Sequence, residues 1–271
     1  MRCFGDSFLL SFVASARRGG PYKGPRHRND HHCCLVGYTA GTDLTEEALA
    51  KIQGLIDDRY EPKVTFSATG GLHYDGKFGT ATIKGGQGAG KRYKDEIATC
   101  DDPIIGLVIG GNNDWWNVKD FDAKSRAKEF LRLTIQYFGT NEKIKFIIIC
   151  SQLPRMGDYA ENSKRILDKI NFNKELESLI INGDHVHFKP KIRFFSAEPI
   201  VPMMDYTGDE KSWFCEGEIS RYDKEVAKPN PSPKIKPAVH YNASTMDKII
   251  RGMTGLVRQV EKRGAKRRRL Y

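Results

Sequence analysis

Ser7 and His240 could form a nucleophile and base pair, and they stand near opposite ends of the chain. Ser7 lies in Gly5-Asp6-Ser7 and His240 in Val239-His240-Tyr241-Asn242. A serine hydroxyl is a weak nucleophile until a base takes its proton, and imidazole is the commonest base. On a turn between a strand and a helix, Ser7 can expose its hydroxyl, and the helix N-terminus behind it favours developing negative charge. A second chemistry lies in Gly85-Gly86-Gln87-Gly88-Ala89-Gly90-Lys91. It matches the Gly-x4-Gly-Lys part of a phosphate-cradling P-loop. The next residue is Arg92, where a magnesium site needs Ser or Thr, and no apolar strand ending in an acid supplies an obvious second magnesium ligand.

These residues need elements to position them. IIGLVIGG (104–111), IKFIIIC (144–150) and IRFFSA (192–197) are continuous apolar runs, as in strands buried on both faces. Residues 1–4 read as a clipped strand, followed by a helix from about Phe8. CCLVGY (33–38) is strand-like, and VTFSA (64–68) and TATIK (80–84) alternate as strands. Asp43-x-x-Glu46 is a capping box that opens a helix over 46–60. Further helices are expected over 121–138, 161–181 and 243–262. Residues 17–32 read as a basic loop, 198–238 as a long irregular segment and 258–271 as a basic tail, with 1–257 forming one domain. Buried strands alternating with amphipathic helices predict a three-layer α/β/α fold with a mostly parallel sheet. Right-handed crossovers bring the strands' carboxyl ends to one edge, where ligand and catalytic groups collect. Gly5-Asp6-Ser7, Gly85 to Lys91, Gly110 to Asp114 and Leu153-Pro154-Arg155 all follow expected strands.

Composition narrows the class. The 271 residues are 39% hydrophobic and 29% charged, with 26 Gly and 12 Pro, which excludes collagen-like, coiled-coil and wholly disordered chains. No run of 18 apolar residues occurs, so no transmembrane helix is expected. The net charge of +10 is concentrated. Residues 17–28 hold five basic and no acidic residues, and residues 258–271 hold seven basic and one acidic, so the remainder is nearly neutral. Arg17–Arg28 and Arg258–Arg269 are candidate contacts for RNA or DNA, or a nuclear address. The six cysteines, at 3, 33, 34, 100, 150 and 215, make no disulfide framework and read as reduced thiols of a cytoplasmic or nuclear protein. His31, His32, Cys33 and Cys34 are too tightly spaced to converge on one ion. A secretory signal is the competing reading of residues 1–16, where FLLSFVASA ends in Ala14-Ser15-Ala16.

Taken in order, Gly5-Asp6-Ser7, an isolated Gly88, Gly111-Asn112-Asn113-Asp114 and a late His240 resemble the blocks of the SGNH, or GDSL, hydrolase family. Leu153-Pro154-Arg155 after the strand at 144–150 is similar to the branch found as esterase domains of retrotransposon-encoded proteins. The resemblance implies a flavodoxin-like topology and a serine esterase acting on an ester substrate. Ser7 would be the nucleophile and His240 the base. The oxyanion hole would be formed by the N–H groups of Ser7 and Gly88 and the Asn113 side-chain amide. No cofactor is implied. The family usually places an Asp three residues before the His, and here that position is Pro237. Three alternatives stay open: a backbone carbonyl orients His240, another acid such as Glu198 or Asp205 does so, or the domain is catalytically weak. A non-catalytic module that binds RNA or DNA through the basic segments is the alternative function. Phosphate binding at Gly85–Lys91 is the third.

Overall fold

The computed structural model describes residues 1–6, 8–9, 12, 64–68, 94–108, 121–159, 164–183, 187–188, 190–203, 210–232 and 237–268. Five strands, β1 (Arg2–Gly5), β2 (Thr65–Ala68), β3 (Ile104–Val108), β4 (Phe146–Cys150) and β5 (Lys191–Phe195), pair in the order β2-β1-β3-β4-β5. Every pairing is parallel. This 2-1-3-4-5 order is that of the flavodoxin-like doubly wound sheets. Among the described residues, the helices with both ends defined are α1 (Lys94–Ala98), α2 (Ala123–Phe138), α3 (Lys164–Ile181), α4 (Glu216–Val226) and α5 (Ala243–Arg268).

The side-chain period of two sorts each apolar run between two cores. Phe4, Ile105, Leu107, Ile147, Ile149 and Ile192 are buried with residues of α2 and α3, among them Phe130, Phe172 and Leu176. Cys3, Val108, Ile148 and Cys150 are buried with Met246, Ile249, Ile250 and Met253 of α5. Helices therefore cover both faces of the sheet, and the fold is the three-layer α/β/α arrangement that the alternation predicts. The uninterrupted hydrophobicity of β3 and β4 has its cause here, since neither face meets water.

Two glycines are required by close approach. A Cβ on Gly106 would lie 2.9 Å from Cys3 Sγ and 3.0 Å from Met253 Cε, so this glycine lets α5 settle on the sheet. A Cβ on Gly5 would lie 2.5 Å from Leu9 Cβ and 2.6 Å from the Val108 carbonyl oxygen. The chain turns tightly from β1 towards the segment holding Phe8 and Leu9, both helical and fully buried. Because one clashing atom is backbone, Gly5→Ala is expected to destabilise the protein by about 1–3 kcal/mol in urea unfolding, the usual cost of overpacking.

Several expectations change. β1 is an inner strand, and Phe8, Leu9 and Phe12 belong to the core. Residues 2–5, 8, 9 and 12 of the stretch that also reads as a signal thus form part of the sheet and its core. The segment 198–238 is not irregular throughout, because it contains α4 and a 3-10 turn at Glu210–Trp213. The basic run begins inside α5, which continues to Arg268 rather than ending near residue 262. The expected basic loop over 17–32, the strands over 33–38 and 80–84 and the helix over 46–60 lie outside the described residues. No described helix is long and apolar enough to cross a membrane.

Candidate active site

β1, β3 and β4 end at one edge, and α5 begins beside it. Asp6 follows β1, is fully buried, and accepts the Phe8 N–H at 3.0 Å through Oδ1. This bond closes the turn after the strand. The Phe8 ring packs edge-on against the His240 imidazole, with centroids 6.3 Å apart, and lies 5.3 Å from the Tyr241 ring. The start and the end of the chain therefore meet here. Ser7, between Asp6 and Phe8 in sequence, is outside the described residues, as are Gly88, Asn113, Asp205 and the Gly85–Lys91 loop.

His240 is held from three directions. Asn242 caps α5 by accepting the Thr245 N–H at 2.9 Å. Its side-chain amide also donates to the Ser212 carbonyl at 2.6 Å, tying the cap to the residues before α4. Tyr241 stacks on Phe214 at 4.8 Å, and the two residues form an isolated antiparallel bridge. The Cys215 N–H donates to the His240 carbonyl at 2.9 Å. These contacts fix the backbone of 240–242 against the N-terminal end of α4.

That end presents Glu218. Its Oε2 accepts the backbone N–H groups of Val239 at 2.8 Å and His240 at 3.0 Å. Its Oε1 lies 2.6 Å from His240 Nδ1. Burial alone would raise the Glu218 carboxyl. The hydrogen bond from the His240 ring, the attraction between the two groups and the two backbone N–H donors outweigh it and hold the carboxyl at about 2. Glu218 is therefore ionised at neutral pH and can only accept, so Nδ1 must carry the proton. In the neutral imidazole Nε2 then keeps its lone pair, the state a general base requires.

Glu218 takes the place beside Nδ1 for which the sequence reading, finding Pro237 where an Asp is usual, named Glu198 or Asp205. Glu198 accepts the Met203 N–H at 2.8 Å, a local contact in the turn after β5, and Asp205 is outside the described residues. The sequence carries a weak signal for the helix that bears Glu218, though none for its contact with His240. Glu216 and Glu218 make an acidic first turn, and Ile219 and Tyr222 give that helix one apolar side that packs on the core.

Leu153-Pro154-Arg155 lies against the histidine segment. The Met156 N–H donates to the Ala238 carbonyl at 3.1 Å, and the Tyr241 hydroxyl donates to the Pro154 carbonyl. Free Cys150 ends β4 at the same edge, but burial pushes its thiol up to about 12, which removes it as a nucleophile. Cys3 is likewise free and pushed up to about 12 by burial. Cys215 is disulfide-bonded, with its partner outside the described residues, which the reading of six reduced thiols does not anticipate. Among the described residues no group of three or more His, Cys, Asp or Glu could hold a metal ion.

No family model and no curated protein matches the chain. Among solved structures it is similar to the salicylyl-acyltransferase SsfX3 from a tetracycline biosynthetic pathway, with 12% identity and a TM-score of 0.45. The similarity covers 93% of this chain and 52% of that one, so the chain spans about half the length of that protein.

Proposed function

We propose that the chain is a serine esterase of SGNH type, with Ser7 as nucleophile, His240 as general base and Glu218 as the carboxylate that orients the imidazole. In the first step Ser7 Oγ attacks the ester carbonyl while its proton passes to His240 Nε2. The tetrahedral oxyanion is met by the N–H groups of Ser7 and Gly88 and the Asn113 amide. The carbonyl re-forms as the alkoxide leaves with the proton from Nε2. Water, activated by the same nitrogen, then hydrolyses the acyl-enzyme. Glu218 keeps its charge throughout and stabilises the imidazolium.

The observation that carries this reading is the Glu218–His240 pair. A buried carboxylate fixes the Nδ1 proton, at the carboxyl edge of the sheet, against the residue that follows Ser7. A capping histidine would need neither that carboxylate nor that tautomer. The test is labelling of the full chain with a fluorophosphonate probe, which reacts only with an activated serine. Wild type is expected to label and Ser7→Ala to lose all label. Labelling that persists in Ser7→Ala, or an unlabelled wild type, overturns the assignment.

A further inference from the structure

Lys169 of α3 is a buried cation that the proposed chemistry does not use. Its side chain is 1% exposed. Its ammonium donates to the Leu153 carbonyl at 2.7 Å and to Asp158 Oδ2 at 2.8 Å. The same Asp158 oxygen accepts the Arg155 N–H at 2.8 Å, and Oδ1 lies 3.3 Å from the Arg155 guanidinium. Asp158 is fully buried. Apolar side chains of similar volume often stabilise a core as well as a buried ion pair does, so such a pair is weak evidence for a role in stability. This one has a geometric consequence. It closes the segment 153–158 on itself and pins it to α3 at both ends.

The pinned segment touches the histidine loop in three places. The Pro154 carbonyl accepts the Tyr241 hydroxyl, and the Met156 N–H reaches the Ala238 carbonyl at 3.1 Å. Gly157 faces the Pro237 ring, whose Cγ would lie 3.1 Å from a Cβ added at that position. Contacts from the segment thus fall on both sides of His240. Glu218 approaches the same residue from α4, through different atoms.

We propose that Lys169 is a positioning residue for His240, acting with Asp158 through the segment 153–158 as a support separate from Glu218. The proposal rests on the reading of His240 as the general base, and it is tested by a measurement that needs no turnover. In long-range proton–nitrogen NMR spectra of histidine-labelled full chain, the Nδ1 proton of His240, sheltered by Glu218, should give a slowly exchanging downfield signal. Lys169→Met is expected to speed exchange of that proton and to slow fluorophosphonate labelling of Ser7 by about tenfold to hundredfold, the scale of a small misplacement of a reacting group. Leu176→Ala, on the same helix but in the core of the opposite face, is the control. At a similar loss of Tm it should leave both readouts as in wild type. Tyr241→Phe removes only the hydroxyl on Pro154 and should speed exchange as Lys169→Met does, and it decides the matter alone if Lys169→Met does not fold. An unchanged signal in the folded variants, an equal change in Leu176→Ala, or no sheltered Nδ1 proton in wild type overturns the proposal. Exchange that responds as expected in a protein that never labels keeps the positioning role and removes the esterase reading instead.

Discussion

Replacing Glu218 by Gln should lower ester hydrolysis by about 10³- to 10⁴-fold while leaving the fold in place, the scale seen when the carboxylate behind a catalytic histidine becomes an amide. The reason is the direction of one hydrogen bond. In the wild type Oε2 accepts from Val239 and His240 while Oε1 receives the Nδ1 proton. A glutamine has one oxygen, and the two backbone N–H groups can only be met by that oxygen. Its NH₂ is then turned towards Nδ1 and demands an acceptor there. The imidazole responds by moving its proton to Nε2, the atom that must be bare to receive the Ser7 proton. Turnover of a p-nitrophenyl ester by the two proteins checks this, with circular dichroism to confirm the fold. The fall should appear in kcat with KM nearly unchanged, because substrate does not touch Glu218. A variant that keeps more than a tenth of wild-type kcat would show that Glu218 does not set the tautomer.

The layers of the fold were legible because the sheet is parallel and covered on both faces. β3 and β4 announce themselves as apolar runs, and α2 and α3 lie close to where the sequence places them. β5, expected as a third strand buried on both faces, is instead an edge strand in which only Ile192 is buried and Lys191 and Arg193 are exposed. β1 was legible only as a fragment, since four residues give little pattern. α4 was hidden for a different reason. Pro, Gly and charge dominate the segment around it, and its apolar side consists of little more than Ile219 and Tyr222, so the helix depends on packing rather than periodicity. The histidine of the candidate site was legible from its place before the last helix. Its acid was not, because Glu218 and His240 stand 22 positions apart with most of a helix and its return between them, and no local spacing encodes a contact of that kind. A family pattern pointing to position 237 directs attention to the wrong element, whereas the carboxylate arrives from the first turn of α4. What replaces the local rule is a tertiary one. The Phe214–Tyr241 bridge and the Asn242 cap bring two distant stretches side by side, and the acid follows from that register.

Glu218 should also give the protein a distinct sensitivity to acid. Its carboxyl is held at about 2 in the folded state, against 4.5 for the exposed group. A carboxyl whose folded value lies below its unfolded value stabilises the fold when both states are ionised, and the contribution disappears as protons bind the unfolded chain first. Stability from this group is therefore complete above about pH 5 and declines as pH falls towards 2. A displacement of that size corresponds to about 3 kcal/mol, of which about 2 kcal/mol is gone by pH 3. Asp158 is also held below the ordinary carboxylate range: burial opposes this, but Lys169 and Arg155 prevail, so the wild type loses stability in acid for more than one reason. Comparison with Glu218→Gln isolates the one group, since Asp158 is common to both proteins. Urea unfolding at pH 6 and at pH 3 should find the variant less stable by a margin that narrows by about 2 kcal/mol at the lower pH. A margin that stays constant would mean that the carboxylate is solvated rather than clamped. The imidazole would then lack the fixed partner on which the tautomer, and the hydrolytic reading with it, depends.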